Sequence, residues 1–512
     1  MEANAQTTGA WILVILYAVG LLYLVFRGAR KTRSLSDYAL GSVVFSPVAV
    51  GLSLAASMTS AATFVINPGF IANFGISGII SYAIALPLAA VTSLVLLTKS
   101  FRRYGQTVKA LTLAQWIGSR YNSKPFALLM GLLALLLLTF IVLIVVALTK
   151  VLSSALQANE TMVMLTIVVF VFGYMMFGGA NSMVYTNTIQ AVIMILVAFL
   201  LIGSGYEHFR DGIGSLFSKL ASIDPALVKT TNPSSPLFRD FYEIIFAQVV
   251  VGVAIVVQPH IITRSLLLKN ENQVNKFLVT AVVVELLFFS VVIAGLYARL
   301  TFPDLTAFGK TLPNDGIIPA YVRVVYAGSP LALFAGLLVI LGLIAAGMST
   351  LEGLVQSVST TITSDLLKPL LGKRLPESNL VVANRLAIVG MAAITIYLSH
   401  KQLTAPKLSV GIFAQNGVYA YFSAAFIPLI FGIFVKDVKV WVPFAAAISA
   451  LVVHFGVYYL LPAAVAQFDW QFGFFTKFLQ GPVRNPAIAS SSAIVVSSLV
   501  GLLLLKISRL RK

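Results

Sequence analysis

The chain has 512 residues, of which 59% are hydrophobic and 10% charged, with a mean hydropathy of +0.95. A water-soluble domain of that composition would lack the polar surface to cover itself, so the fold class is an all-α polytopic membrane protein. Without Cys, disulfides and thiolate metal sites are excluded. The four histidines show no metal-ligand spacing, and no phosphate-cradling Gly-rich loop or nucleophile elbow occurs; no cofactor, transition metal or ATP-driven pump is expected.

A helical span needs about 20 apolar residues, and about 13 such stretches can be placed. They are 9–27, 44–70, 76–98, 126–156, 161–177, 184–207, 241–262, 277–299, 330–366, 380–399, 408–435, 439–461 and 485–505. The first has no basic residue before it and no small-residue cleavage site after it, so a cleaved signal peptide is not expected. The second carries Ala55-Ala-Ser-Met-Thr-Ser60 and then Asn67-Pro68-Gly69. Such a run supports either an unwound segment, because hydroxyls re-satisfy freed backbone groups, or close helix packing. Thr112–Tyr121 is amphipathic and is placed at the cytoplasmic surface, and His208–Asp240 reads as an external loop with a short amphipathic piece. The seventh stretch has Gly252 in its middle and Gln258-Pro259-His260 at its cytoplasmic end.

Alternating the loops across the bilayer puts about 23 of the 35 Lys and Arg on one side and about 12 on the other. The rich side includes Arg27, Arg30, Lys31 and Arg33, and the tail Lys506, Arg509, Arg511 and Lys512. It is the cytoplasmic side, which puts the N-terminus outside and the C-terminus inside a cell (cytoplasmic) membrane. The formal charge of +18 is then topology with some attraction to anionic lipid, not a nucleic-acid surface. The two interrupted spans open two blocks of five, 44–207 and 241–435, which must be oppositely oriented because five is odd. The segments 9–27 and 439–505 are peripheral, and 1–512 is one transmembrane domain. Broken helices at matching positions of inverted halves point to a transport site near the midplane.

The ninth stretch places Ser349, Thr350 and Glu352 within one helical turn. A carboxylate at that depth is costly and marks an ion or substrate path by default. The two hydroxyls, with the carbonyl of Ala346 a turn earlier, either supply oxygens to a desolvated ion or bond back to their own helix. Glu285, amid Val282–Phe289, is the other deep acid, with a pairing role inside the bundle and a functional one both open. In the eleventh stretch, Gln415 and Asn416 face either a cavity or a neighbouring helix. No Lys or Arg falls at the midplane, and the span histidines His260 and His454 have no evident partner, which disfavours a membrane-embedded hydrolase.

These residues carry a resemblance. Gly347-Met-Ser-Thr350 followed by Thr363-Ser-Asp-Leu366, Gln258-Pro-His-Ile-Ile-Thr-Arg264, Gly178-Gly179 with Tyr185-Thr186 and Gln190, and Ser60-Ala61 before Pro68-Gly69 resemble the sodium:solute symporter family. The His260 stretch looks most like proline symporters; the first broken helix and Ile223-Asp-Pro-Ala-Leu-Val228 look more like pantothenate symporters. The resemblance implies a LeuT-like 5+5 inverted-repeat core and a secondary active transporter that carries a small organic solute (organic acid, vitamin or amino acid) with Na+ by alternating access. It implies no enzyme and no obligatory protein partner. Carried over by position, it implies a sodium site from backbone oxygens of Ala56, Thr59 and Ala346 and the hydroxyls of Ser349 and Thr350.

By the same resemblance, many relatives have an acid where this chain has Asn187, and in members with a second sodium site that acid faces hydroxyls at the positions of Glu352 and Gly353. The carboxylate is thus expected to have moved from the sixth span to the ninth. There Glu352, with Asn187, would hold a second cation or take up a proton; otherwise it faces a wet cavity or pairs with a basic residue. For the solute, Ser57, Ser60, Thr63 and Gln415 are candidate polar contacts. Val251 and Ile255 stand where proline symporters have aromatic side chains, which weakens the case for proline. Proton-coupled symport through Glu352 is the competing mechanism. A solute sensor would carry a signalling domain, whereas the chain stops about six residues after the last stretch.

Overall fold

The computed structural model describes residues 2–268, 270–406 and 408–510; of the basic tail, Arg511 and Lys512 lie outside the described residues. With no water in a hydrocarbon core to bond N–H and C=O groups, each crossing segment must satisfy its own backbone, and helices do so. Ten helices are long and apolar enough to cross a bilayer, or up to twelve spans if each of two bent helix pairs counts as one, among the described residues.

In chain order, α1 (Gln6–Ala29) precedes the first bent pair, α2 (Pro47–Met58) and α3 (Ala62–Phe74). Then come α4 (Ile76–Thr107), the short α5 (Leu113–Arg120), α6 (Lys124–Leu156), α7 (Glu160–Met175) and α8 (Ala180–Gly203). After α9 (Ile213–Ile223) the second bent pair is α10 (Tyr242–Ile255) and α11 (Pro259–Leu267). Next are α12 (Glu271–Thr301), α13 (Ile317–Val325), α14 (Pro330–Arg374), α15 (Glu377–Thr404), α16 (Val410–Phe434), α17 (Trp441–Phe468) and α18 (Pro486–Leu510). The expected stretch 161–177 corresponds to α7, which is apolar but only 16 residues long. A two-stranded antiparallel ribbon, Thr306–Ala307 with Lys310–Thr311, is the exception to the all-helical rule.

The two breaks have local causes. Ser46 caps α2 by accepting from the Ala49 N–H at 3.1 Å, and Pro47 follows in the first turn. At its other end the Thr59 N–H still reaches Ala55, but Thr59 itself has left helical geometry, at φ −93° and ψ 95°. The Ser60 hydroxyl then accepts from the Ala62 N–H at 3.1 Å and opens α3, which leaves at 53° to α2. In the second pair, Pro259 disfavours helix at the preceding residue, and Gln258 is extended, at φ −60° and ψ 135°. The two halves meet there at 57°.

Inside α3, Asn314 donates from its side chain to the Ile66 carbonyl at 3.1 Å. That approach explains Gly69, where a Cβ would stand 2.1 Å from the Asn314 carbonyl oxygen. The centre of the bundle is α14, buried from Val339 through Thr361 and packed against α2, α6 and α8. The other side of α2 packs on α12, and α17 and α18 pack on each other and on α16 at the periphery. The amphipathic segment at 112–121 does not lie open on a surface. Leu113, Ala114, Trp116 and Ile117 are buried, Trp116 Nε1 donates to the Phe101 carbonyl at 3.0 Å, and the Thr112 hydroxyl donates to Asp365 on α14 at 2.7 Å.

Replacing Gly69 with Ala is expected to force α3 from the 302–316 connection and cost about 1–3 kcal/mol. Thermal unfolding of the detergent-solubilised protein measures this; an unchanged midpoint would show that the contact yields freely.

Candidate functional site

The end of α2 and the middle of α14 meet through oxygens. Where α2 stops, its last carbonyls have no helical donor. The Ser349 hydroxyl donates to the Ala56 carbonyl at 2.7 Å and lies 3.1 Å from the carbonyl of Ala346. The Thr350 hydroxyl lies 3.0 Å from the Ser57 carbonyl, 3.3 Å from that of Ala346 and 3.5 Å from that of Ala56. All of these residues are buried. The back-bonding within α14 and the contacts to α2 therefore coexist in the same two hydroxyls. Such a set of uncharged hard oxygens suits an alkali or other hard cation and not a transition metal.

Four of the five expected sodium residues thus converge: Ala56, Ala346, Ser349 and Thr350. Thr59 lies one turn beyond Ala56, and its side chain points the other way, donating to Glu285 Oε2 at 2.9 Å. Glu285, 0% exposed, takes no other hydrogen bond and pairs with no Lys or Arg among the described residues. Its link is to the break in the first bent pair rather than to a charge.

Behind the hydroxyls lies a polar cluster that the sequence disclosed only in part. Glu352 is 1% exposed and well provided with donors. Tyr174 on α7 donates to Oε1 and Thr186 on α8 to Oε2, each at 2.6 Å, with Gln190 Nε2 at 3.5 Å from Oε1. The orientation of the Asn187 amide is assigned from the donors and acceptors around it. Its nitrogen donates to Glu352 Oε2 at 3.2 Å and to Gln190 Oε1 at 3.0 Å, and its oxygen accepts from Arg264 at 3.2 Å and from Ser57 at 2.8 Å.

Arg264 corrects the expectation that no basic residue reaches the middle of the protein. It is 3% exposed, because α11 bends inward at Gln258-Pro259 and aims the side chain at α2. Its guanidinium donates to the Ser57 hydroxyl at 2.5 Å, to the Ser53 hydroxyl at 3.4 Å and, from Nε, to the His260 carbonyl at 3.3 Å. The open choice for Glu352 is narrowed by this placement: it faces no wet space, and a basic residue stands one side chain away. The sequence signal was present in Gln258-Pro259, which predicts a break but not the direction of the side chains after it.

A separate cavity of about 90 Å³ lies between the two breaks, α4, α6, α12 and α16. Ser60, Thr63, Ile255 and Gln415 line it, together with Asn67 and Gln258, which sequence reading took only as parts of the breaks, and Tyr82, Tyr419, Phe140 and Phe289, which it did not single out. Val251 and Ser57 are not on its wall: Val251 is buried in α10, and Ser57 faces Arg264 and Asn187. Gln415 and Asn416 divide their alternatives between them. Gln415 faces the cavity, while Asn416 donates to Tyr459 at 2.7 Å and its Oδ1 lies 3.0 Å from His454 Nε2, which gives that histidine its partner. Among the described residues, no acidic or basic side chain lines the cavity.

The model of the sodium:solute symporter family matches residues 38–448. The chain is 24% identical over 461 residues to a sodium/pantothenate symporter of Haemophilus influenzae, covering 88% of this chain and 89% of that protein. It is 27% identical over 369 residues to a sodium/pantothenate symporter of Escherichia coli, covering 69% and 72%, and 24% identical over 502 residues to a sodium/proline symporter of Staphylococcus aureus, covering 91% of each. A solved Na+-coupled sialic acid symporter in a substrate-bound, outward-open state superposes with a TM-score of 0.73 at 16% identity, over 97% of this chain and 98% of that one. The fold is the LeuT-like one that the family resemblance implied.

Replacing Thr59 with Val leaves the Glu285 carboxylate buried without its donor and is expected to cost about 1–3 kcal/mol, whereas Thr59→Ser keeps the hydroxyl and most of the stability. Thermal unfolding of the two variants side by side checks this; equal midpoints would remove the hydrogen bond from the account.

Proposed function

The chain belongs to the sodium:solute symporter family, and from that premise we propose that it couples inward flow of Na+ to uptake of a small organic solute across the inner membrane. The observation that carries this reading is the meeting of the Ala56 and Ala346 carbonyls with the Ser349 and Thr350 hydroxyls across the first break. Thr59, at the free end of α2, completes the proposed sodium ligands with its backbone oxygen. One ion crossing 100 mV contributes about 2.3 kcal/mol before any concentration gradient. The ion bridges α2 and α14, so it favours the state in which the two breaks enclose the solute. Coupling of this kind is differential affinity between two states, the only way a ligand shifts their balance.

The solute is placed in the cavity lined by Ser60, Thr63, Ile255 and Gln415. Mixed apolar and uncharged polar lining suits a solute with an aliphatic part and hydroxyl, amide or carboxylate groups. An organic acid, a vitamin such as pantothenate, or an amino acid answers to that description, and the symporters named above support this range. A carboxylate would be held by the hydroxyls of Ser60 and Thr63 and the side-chain amides of Gln258 and Gln415.

Glu352 and Asn187 are assigned to coupling, since they connect α8 and α14 to the residue that flanks the sodium ligands, Ser57. The two proposed repeats are 44–207 and 241–435, each opening on a bent pair, with 9–27 and 439–505 outside them. The N-terminus is placed outside and the C-terminus in the cytoplasm on the distribution of Lys and Arg.

A ligand-stabilisation screen of the purified protein over carboxylates, amino acids, vitamins and sugars, with sodium or with choline, tests the reading. A melting shift requiring sodium and one solute class is expected; a shift of equal size in choline would refute sodium coupling. In the same assay, Ser349→Ala should weaken apparent sodium affinity about tenfold, the effect of roughly 1.4 kcal/mol from one lost oxygen. Glu352→Gln should impair sodium-dependent stabilisation, and Asn187→Asp in that background should restore it. Unchanged behaviour of Glu352→Gln would remove that residue from coupling.

A further inference from the structure

We propose that the groove between α1 and α7 holds one acyl chain of an anionic phospholipid, whose phosphate is met by Arg30 and Arg385. The site is separate from the sodium and solute reading above and needs only that the helices span a bilayer.

α1 packs on α8, and α7 packs on α6 and α15, which leaves a furrow between the two helices. The Thr32 hydroxyl, donating to the Gly178 carbonyl at 3.1 Å, ties together the segments that follow them. The furrow measures about 520 Å³ and is lined by Leu22, Val25 and Phe26 of α1 and by Val169, Gly173 and Phe177 of α7 and its end. Gly173 gives it depth: nothing lies within 4 Å of the place a Cβ would take there. The inner wall includes Tyr174, whose hydroxyl donates to Glu352 at 2.6 Å, so an acyl chain laid in the groove rests on the ring that supports the buried carboxylate. Apolar surface is general on a bundle in lipid. This stretch is set apart by its concave shape and its cationic mouth.

The Arg30 guanidinium lies over the Phe26 ring at 4.3 Å, and that of Arg385, from α15, over the Phe177 ring at 4.7 Å. Each aromatic rim of the groove thus carries a cation. Neither arginine is in an ion pair among the described residues. The acids closest to them in sequence are engaged elsewhere: Asp37 accepts from the Arg33 and Ser34 N–H groups, and Glu377 pairs with Lys368. Arg385 also donates from Nε to the Met176 carbonyl at 3.2 Å, which anchors it at the end of α7. Two guanidiniums without an acid suit a phosphate, which they meet with paired donors. A zwitterionic lipid would bring a cation of its own to the same place, so a headgroup of net negative charge is favoured. The bilayer itself assists. With 16 residues α7 is about 24 Å long, against roughly 30 Å of hydrocarbon, and a bilayer thins toward a short helix, drawing headgroups in. Glu160, paired with Lys150, keeps the first turn of α7 at the opposite headgroup level, so the shortfall lies at the end where the arginines stand.

Native mass spectrometry of the full-length protein in detergent tests this, with phosphatidylglycerol and phosphatidylcholine of identical acyl chains offered at equal concentration. The unaltered chain is expected to retain one phosphatidylglycerol, preferred about 25-fold, roughly fivefold for each arginine. Arg30→Gln should lower that preference to about fivefold. Gly173→Leu, which fills the groove where nothing stands in the way, should lose the retained lipid and keep the thermal midpoint of the lipid-free protein. Arg30 is exposed, so Arg30→Gln decides even if Gly173→Leu fails to fold. Equal retention of the two lipids by the unaltered chain would overturn the proposal, as would undiminished preference and retention in the variants. So would a lipid-free dimer through this face, seen as a doubled mass that Gly173→Leu abolishes.

Discussion

At the middle of a membrane protein a helix that stops must have its last carbonyls met by something other than water. The constraint is absolute in hydrocarbon, and the end of α2 obeys it through α14. The carbonyls of Ala56 and Ser57 are met by the hydroxyls of Ser349 and Thr350 in that order, and the Thr59 hydroxyl turns to Glu285 on α12. The break is thereby fastened on both flanks. The same hydroxyls that repair the helix end are the ones able to turn their lone pairs toward a cation, so structural repair and ion binding draw on one set of atoms. A site of this kind binds best when the two helices are at one particular distance, which is what a coupling ion needs to sense.

Charge obeys a second constraint. Arg264 and Glu352 stand in a region where neither is tolerable alone, and Asn187 joins them without letting them touch. The polar cluster behind the hydroxyls is consequently dense in donors and acceptors. Breaking one member leaves an uncompensated buried charge, whose cost exceeds that of any single hydrogen bond. The cluster backs the proposed sodium ligands: Ser57, whose carbonyl faces Thr350, also carries the hydroxyl that accepts from Arg264.

The cavity between the breaks is separated from this charged cluster. Its wall is formed by side chains of neutral residues, and its nearest connection to the ion ligands is the backbone of residues 58–60. In the proposed symport, solute and ion would communicate through the geometry of the first break rather than through direct charge contact. Its polarity is set by Ser60, Thr63, Asn67, Gln258 and Gln415.

Hydropathy alone determined the all-helical membrane class, because about 20 apolar residues in a row have no other stable use in a chain of this composition. Local chemistry determined where the two spans break, since hydroxyl runs and Gln258-Pro259 act within a few residues of themselves. Spacing brought Ser349, Thr350 and Glu352 onto one turn of one helix. What opposes them was beyond sequence logic: Ala56 lies 293 positions from Ser349, and its carbonyl carries no side-chain signature. The direction of Arg264, the handing of Ser57 to the charged cluster instead of the solute cavity, and the division of Gln415 from Asn416 were likewise decided only in the folded bundle. Each depends on the angle at which one helix leaves a break and on which neighbour then stands opposite. Such angles arise from packing among several spans at once, and no single stretch of sequence encodes them.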